Sequence, residues 1–324
     1  MTSLIDTIRG KSILFITTKN LDYIRNSQEI TLLKKYAASL HVIGSSSTSY
    51  PKRLLFVWSH LLFLSVKQYS VVFTGFAPQL IVPFFSWKFR KKILIEDFFI
   101  SLYDTFVCDR QKIGAHSIIG KLLHHLDQVT LKKASLIISD TNAHGDFFST
   151  EFGIKRECIK TLYLEADRSI YYPRAGKPEP SNIFHVLYFG SILPLQGLPV
   201  ILDAIKQLKD NPRLYFTVIG PISDSFQKPL ADNIRYINWL PQEKLAEEIA
   251  SADLCLAGHF HGTIQKAWRT IPGKAYIYEA MEKPMILGDN PATRELENKF
   301  TVPVYYVPMG DAKALADCIS NICD

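Results

Sequence analysis

Paired cysteines are what this sequence most plainly lacks. Its five cysteines (Cys108, Cys158, Cys255, Cys318 and Cys323) are odd in number and scattered, and none stands in a C-x-x-C pair. That pattern favours reduced thiols in the cytosol over a disulfide framework. Long apolar runs are missing as well. The longest, residues 54–66, is 13 residues long and interrupted by Ser59 and His60, whereas a helical bilayer span takes about 20. The opening M-T-S-L-I-D-T-I-R-G-K has no extended apolar core of the signal-peptide kind. These absences predict a cytoplasmic protein, soluble or at most peripheral on the inner face of the plasma membrane. Disorder is excluded by what is present: 47% hydrophobic and 21% charged residues describe a folded globular chain.

Acidic charge is scarce in the first half. Residues 1–173 carry 22 Lys and Arg against 14 Asp and Glu, whereas residues 174–324 carry 15 against 17. An anionic partner is therefore expected on the first half alone. Nucleic acid is not expected, because no recognition motif accompanies the charge. An anionic membrane surface or a lipid diphosphate fits better, since basic residues stand among aromatics in Trp87-Lys88-Phe89-Arg90-Lys91-Lys92. A helix end with a solvated charge run has the same appearance in sequence.

Short apolar runs alternate with amphipathic segments along the chain. In the first half, residues 12–17, 41–44, 71–73, 92–96, 136–139 and 159–164 have the character of strands. Residues 26–40, 51–68, 77–90, 117–134 and a segment from Ala143 have that of helices. Between residues 167 and 181 the composition shifts to Y-Y-P-R-A-G-K-P-E-P-S, which marks a linker. A second series follows, with strands at 183–189, 214–219, 234–237 and 254–257 and helices at 198–209, 242–250 and 312–322. Apolar strands joined by helices imply parallel sheets covered on both faces. The expected fold class is α/β, with two Rossmann-like domains, residues 1–173 and 174–324, facing a central cleft. Ligands of such sheets collect at the carboxyl ends of the strands.

One stretch, T-I-P-G-K-A-Y-I-Y-E at residues 270–279, carries the chemistry. Pro272 suits the first turn of a helix and Thr270 can cap it, while Met285-Ile286-Leu287 ending at Gly288 has the look of a buried strand. Free N–H groups at such a helix start, with Lys274 beside them, form an anion site. Glu279, a turn and a quarter further on, is placed to accept hydrogen bonds from a vicinal diol. Those are the parts that hold a nucleoside diphosphate, phosphate at the helix tip and ribose on the carboxylate. An ordinary amphipathic helix with Lys274 and Glu279 in solvent would show the same residues.

This stretch resembles the donor-binding helix of the retaining family-4 glycosyltransferases of GT-B fold, whose pattern often runs P-S-K-x-x-E-x-x-A-x-G-K-P-V-I. Pro272, Lys274, Glu279, Ala280, Lys283, Pro284 and Ile286 are the residues matched to it. Gly190-Ser191-Ile192-Leu193-Pro194-Leu195-Gln196-Gly197 resembles the family's G-R-L-x-x-x-K-G loop, with Ser191 in place of the arginine and Gln196 in place of the lysine. Of the family's paired glutamates, Glu279 stands for the second and Ile271 occupies the position of the first. Gly220 resembles the family's I-V-G-x-G turn without its second glycine. Ser139-Asp140-Thr141-Asn142-Ala143-His144 and the segment from Asp167 to Pro173 resemble its A-D-x-V-I-T-x-S strand end and its entry to the hinge.

The resemblance implies an acceptor-side first domain, a donor-binding second domain and sugar transfer with retention. No cofactor or metal is implied beyond a nucleotide-sugar co-substrate, a UDP-sugar being favoured. It puts Gly190, Ser191, Gln196, Gly197, Trp239 and Glu279 at the donor, and His261, Lys266 and Tyr276, on the adjoining loop and helix, are expected to bind there too. Lys274, Arg269 and Asp97 become the catalytic candidates. Lys266, Arg269 and Lys274 are expected to supply the counter-charge that Ser191 and Gln196 do not, with plain surface charge as the alternative. Trp239 either stacks on a base or packs in the core. His259 and His261 form an H-x-H pair for which a metal, a sugar or phosphate contact and a structural role all stay open. Glu96, Asp97 and Asp104 stand where a carboxylate would orient or deprotonate an acceptor hydroxyl, with Thr17, Thr18 and Lys19 on the loop after the first strand. Acidic residues also cap helices at such places.

The expected function is sugar transfer from a nucleotide sugar to a hydroxyl of a glycan or polyprenyl-diphosphate-linked acceptor, in bacterial surface polysaccharide or glycoconjugate synthesis. Two alternatives stand beside it. One is a catalytically degenerate GT-B subunit serving a partner protein, consistent with Ser191, Gln196 and Ile271. The other is a nucleotide-sugar epimerase, which would need more carboxylates around the donor.

Overall fold

A computed structural model of the chain describes residues 3–110, 112–174 and 182–324. Contacts gather the chain into two units, Met1–Glu165 and Ala166–Asp324. The first unit runs α1 (Leu4–Ile8), β1 (Ser12–Ile16), α2 (Ile24–Tyr36), β2 (Ser39–Ile43), α3 (Tyr50–Phe63) and β3 (Val71–Thr74). It continues with α4 (Val82–Phe89), β4 (Ile93–Asp97), α5 (Ile118–Leu131), β5 (Leu136–Ser139), α6 (Asn142–Phe152) and β6 (Ile159–Thr161). Its six strands pair in parallel in the order β2-β1-β3-β4-β5-β6.

The second unit runs β7 (Phe184–Phe189), α7 (Leu198–Leu208), β8 (Leu214–Ile219), β9 (Ile234–Ile237), α8 (Gln242–Ser251) and β10 (Leu254–Gly258). It ends with α9 (Gly273–Ala280), β11 (Met285–Gly288), α10 (Pro291–Arg294), β12 (Val304–Val307) and α11 (Ala312–Cys323). These strands are parallel too, in the order β12-β11-β10-β7-β8-β9.

β1 shows why its sequence is apolar without alternation. Ile13 and Phe15 cluster with Leu33 of α2, whereas Leu14 and Ile16 cluster with Val57 and Leu61 of α3. Successive side chains of a strand point to opposite faces, so a sheet covered on both sides needs apolar residues at both parities. In the second unit Tyr188, Phe216 and Ile286 meet Leu202 and Ile205 of α7 and Leu315 and Ile319 of α11.

Several boundaries differ from the sequence expectation for physical reasons. The helix expected over 26–40 stops at Tyr36, because the amides of Ala38 and Ser39 turn to the Lys11 carbonyl and Ser39 opens the pairing with β1. The helix expected to Gln68 ends at Phe63, where the Leu64 amide caps onto His60. Over 77–90 the chain is broken in two: Ala77 is left-handed at φ 55°, a 3-10 turn covers Pro78–Leu80, and α4 follows with Pro83 in its first turn, where a missing N–H leaves no bond unmade. Pro272 is the N-cap of α9 and not its first helical residue, and no side chain caps that helix. Thr270 instead donates to the Lys266 carbonyl at 2.9 Å. α1, α10 and β12 have no counterpart among the expected elements. Residues 175–181 of the expected linker lie outside the described residues.

In each sheet the chain reverses its direction of winding once. β1 lies between β2 and β3, and β7 lies between β8 and β10. Connections leave such a strand to opposite faces, which opens a crevice at its carboxyl end. The loops after β7 and β10 border one crevice, and those after β1 and β3 border the other.

Candidate functional site

The second unit's crevice is organised by Lys274, near the start of α9. Its side chain is buried and runs beneath the loop that follows β7. The ammonium donates to Gln196 Oε1 and lies 4.1 Å from the centre of the Tyr188 ring. Tyr188 donates its hydroxyl to the same Gln196 oxygen at 3.1 Å. Gln196 is therefore a neutral acceptor that positions the cation, not a substitute for one. Burial away from water pushes the Lys274 pKa well below the ordinary lysine value.

Two glycines make this approach possible. A Cβ on Gly190 would stand 2.9 Å from the Lys274 nitrogen, so a larger residue there would displace the ammonium. Gly197 has φ +71°, and a Cβ on it would meet the Phe260 carbonyl carbon and the His261 nitrogen at 2.7 Å. Gly197 is also the N-cap of α7. Neither α7 nor α9 has its first turn capped by a side chain. Two helix starts with open N–H groups thus flank a buried ammonium at the switch point, an arrangement suited to a phosphate or diphosphate. Gly197→Ala is expected to lower the stability of this unit by about 1–3 kcal/mol through left-handed strain alone, measured by chemical denaturation.

The other expected donor residues are distributed less compactly. Ser191 is exposed on the loop after β7. Trp239 follows β9 with 73% of its surface exposed, which removes the core-packing alternative and leaves its ring face available. Lys266 and Arg269 sit half-buried on and just after a 3-10 turn, Gln265–Trp268. Tyr276 is buried edge-on against Phe300 at 6.2 Å. His261 uses Nδ1 to accept the amides of Thr263 and Ile264, both at 3.3 Å, so it closes its own loop. His259 is buried against Thr270, 3.3 Å from both its hydroxyl and its carbonyl. The two imidazoles serve different partners. Among the described residues no group of three or more His, Cys, Asp or Glu is gathered as metal ligands.

Glu279 calls for a correction. It lies five residues beyond Lys274, about 140° around a helix that turns about 100° per residue, so the two do not share a face. Glu279 pairs with the mostly exposed Arg168 at 3.3 Å. Three residues beyond Lys274, at the spacing of the family pattern, the chain has Ile277. The diol-binding role therefore has no carboxylate in line with Lys274 on α9.

The first unit holds a buried polar cluster at the carboxyl edge of its sheet. Asp97, at the end of β4, is fully buried and accepts from Arg25 Nη2 at 2.8 Å and Nε at 3.1 Å. That geometry makes it the partner of a structural ion pair and removes it as an acceptor base. Glu96 and Asp104 are fully buried as well, and burial raises the Glu96 pKa well above the usual carboxylate range. Thr17 and Thr18 are buried in internal hydrogen bonds, Thr18 to the Phe76 carbonyl at 2.9 Å. Lys19 lies over the rings of Tyr23 and Phe76.

The reachable carboxylate of this cluster is Asp140, just beyond β5, with 24% of its side chain exposed. Buried His144 donates from Nδ1 to Asp140 at 2.7 Å, and its Nε2 faces Asp104 at 3.7 Å. Burial opposes the charged imidazole, but Asp140 and Asp104 together outweigh it and raise the His144 pKa. Burial likewise opposes ionisation of Asp140, and His144 and Arg25 overcome it, lowering its pKa. In sequence this segment has the look of a strand end. The signal present was Asp140 and His144 four residues apart at a helix start, which places both side chains on one side of the turn.

Two parallel six-stranded α/β units, each with one switch point in its strand order, match the GT-B architecture. Residues 183–324, nearly the whole second unit, match the family model described as "Glycosyl transferases group 1". No curated protein matches the chain in sequence. Among solved structures, the chain is similar to sucrose-phosphate synthase from Thermosynechococcus elongatus (TM-score 0.65, 13% identity, 96% of this chain and 90% of that one). It is also similar to Anabaena HepE in complex with UDP (TM-score 0.62, 16% identity, 96% and 89%). A third is a glycosyltransferase from Rickettsia africae (TM-score 0.59, 14% identity, 97% and 88%). At these identities the likeness is one of fold.

Proposed function

We propose that this protein is a glycosyltransferase. It moves a sugar from a nucleotide-sugar donor, with a UDP-sugar favoured, to a hydroxyl of a glycan or lipid-linked acceptor, with retention. Its setting would be the cytoplasmic side of surface polysaccharide or glycoconjugate synthesis. The observation that carries this is the buried Lys274 ammonium between the loops after β7 and β10, flanked by two uncapped helix starts. The match of residues 183–324 to a glycosyltransferase model supports it, as does the UDP held by the similarly folded Anabaena HepE.

In this scheme residues 174–324 bind the donor and residues 1–173 the acceptor. Lys274 and the helix amides neutralise charge that develops on the departing diphosphate, the term that commonly dominates such a step. Arg269 and Lys266 add charge from the preceding turn, and Trp239 offers an exposed face to the base. Asp140, fixed by His144, takes over the acceptor-side role first expected of Asp97. The alternative is a non-catalytic subunit, favoured by Ser191, where the family pattern has an arginine.

Thermal melting with UDP, GDP, ADP, CMP and dTDP tests the donor site. A ligand that binds only the folded state, at about 100 times its dissociation constant, adds roughly 2.7 kcal/mol. A rise in Tm with UDP is expected. Silence with all five nucleotides would overturn the transferase assignment for this chain and leave the partner-subunit alternative.

A further inference from the structure

We infer that the face of the first unit built from α3 and α4 docks on an anionic lipid surface. The first observation is compositional. Between Glu29 and Glu96 the chain has no acidic residue at all, yet it carries nine lysines and arginines there. That interval includes all of α3 and α4.

The second observation is a continuous apolar ridge. On α3, Leu55, Phe56, Leu62 and Phe63 are exposed, Phe63 by 90%. On α4, Phe84 and Trp87 are exposed, Trp87 by 66%. The two helices are locked side by side, so these residues share one surface. Trp58 of α3 packs on Phe84 with ring centres 4.8 Å apart. Lys88 of α4 donates to the carbonyls of Leu61, Leu62 and Leu64 at the end of α3. Lys88 thereby commits its charge to the carboxyl end of α3 and ties α4 to it.

Four further cations border the ridge: Lys52, Lys67, Arg90 and Lys91, all exposed. None of them takes part in an ion pair with a described residue. Bulky apolar side chains rimmed by unpaired cations match a bilayer interface, where rings enter the acyl boundary and ammonium groups stay at anionic headgroups. A second copy of the chain fits less well, since a symmetric contact through this patch would set its cations against themselves. No helix among the described residues is long and apolar enough to cross a membrane, so the contact is one of lying on the surface.

The inference does not rest on the donor chemistry. Its test is co-sedimentation of the full chain with phosphatidylglycerol–phosphatidylcholine vesicles and with phosphatidylcholine vesicles, at low and high salt. Binding is expected to the first kind only, and to fall with salt. Arg90→Ala with Lys91→Ala is expected to weaken it about thirtyfold, and Phe63→Ala with Trp87→Ala at least about tenfold. All four side chains are exposed, and the UDP-dependent Tm shift of both variants should match that of the parent, which keeps this test separate from that of the donor site. No binding to either vesicle would overturn the inference, as would equal binding to both without salt dependence. A dimer in solution that the Phe63 and Trp87 changes dissolve would overturn it too, and would reassign the ridge to self-association.

Discussion

Lys274→Met is expected to reduce kcat/KM by about a thousandfold, the upper end of what one lost charge-stabilising donor costs in a dry site, while the fold stays intact. Methionine is close to lysine in length and keeps the buried stem packed. Gln196 is not orphaned, because Tyr188 still donates to its Oε1 at 3.1 Å. The variant should even gain stability in the neutral range. The folded-state pKa of Lys274 lies below the ordinary 10.5 because of burial. Between those two values the unfolded chain binds more protons, so stability rises with pH across that interval, and below it the full penalty of burying the ammonium applies. Methionine removes the penalty and flattens that slope. The same linkage makes nucleotide binding proton-coupled. A diphosphate beside Lys274 favours its charged form and raises its pKa, so proton uptake accompanies binding where the pH lies above the folded-state value of the free protein, and affinity should fall as pH rises past that value. Calorimetry in buffers of different ionisation heat reads that uptake directly. Unchanged UDP affinity in Lys274→Met would show that this lysine only braces the loop.

The architecture was legible because it depends on local pattern. Runs such as Ile13–Ile16 are apolar at both parities, and only a sheet covered on both faces asks for that. What the sequence hides is where polar side chains end. Lys274 has the appearance of a solvated helix residue until the loop after β7 is folded over it. Gln196 seems a defect in a cation position until its oxygen is found holding that cation. Arg25 and Glu29 lie on α2, a helix with ordinary amphipathic spacing, and nothing local marks them as fully buried. Glu279 shows the opposite failure. It has the right residue type in the right helix, and its helical phase sets it on another face. β12 escaped notice because Val304–Val307 is only partly buried along most of its length and its four residues give little periodicity to read.

Arg25→Met is expected to be the most destabilising single change in the first unit, by about 3–5 kcal/mol, since removing one partner of a buried pair leaves the other charge uncompensated. Arg25 is 2% exposed and forks onto Asp97. It also donates to the Leu162 carbonyl and lies 3.6 Å from Glu29. One guanidinium thus joins α2 to the end of β4 and to the segment following β6. Glu29 and Asp97 are both fully buried. Burial, with Asp97 close by, raises the Glu29 pKa well above the usual range, so the cluster favours the protonated form of Glu29 and leaves Arg25 and Asp97 as the tightest pair. For a unit of this size the loss corresponds to a fall in Tm of about 10 °C. Arg25→Lys should fall between, because an ammonium keeps the charge but cannot fork onto two carboxylate oxygens. The pH dependence has a definite sign. A carboxyl whose folded-state pKa is raised contributes stability that is full below its unfolded pKa and is lost as pH rises through the folded value. Without Arg25 more of the cluster behaves in that way, so the deficit of Arg25→Met should shrink on acidification and widen toward alkaline pH. Arg25→Met combined with Asp97→Asn should recover part of the lost Tm, because the uncompensated charge is then gone. A Tm for Arg25→Met equal to that of the parent would mean that water reaches Asp97 and that the cluster does not hold this edge of the sheet together.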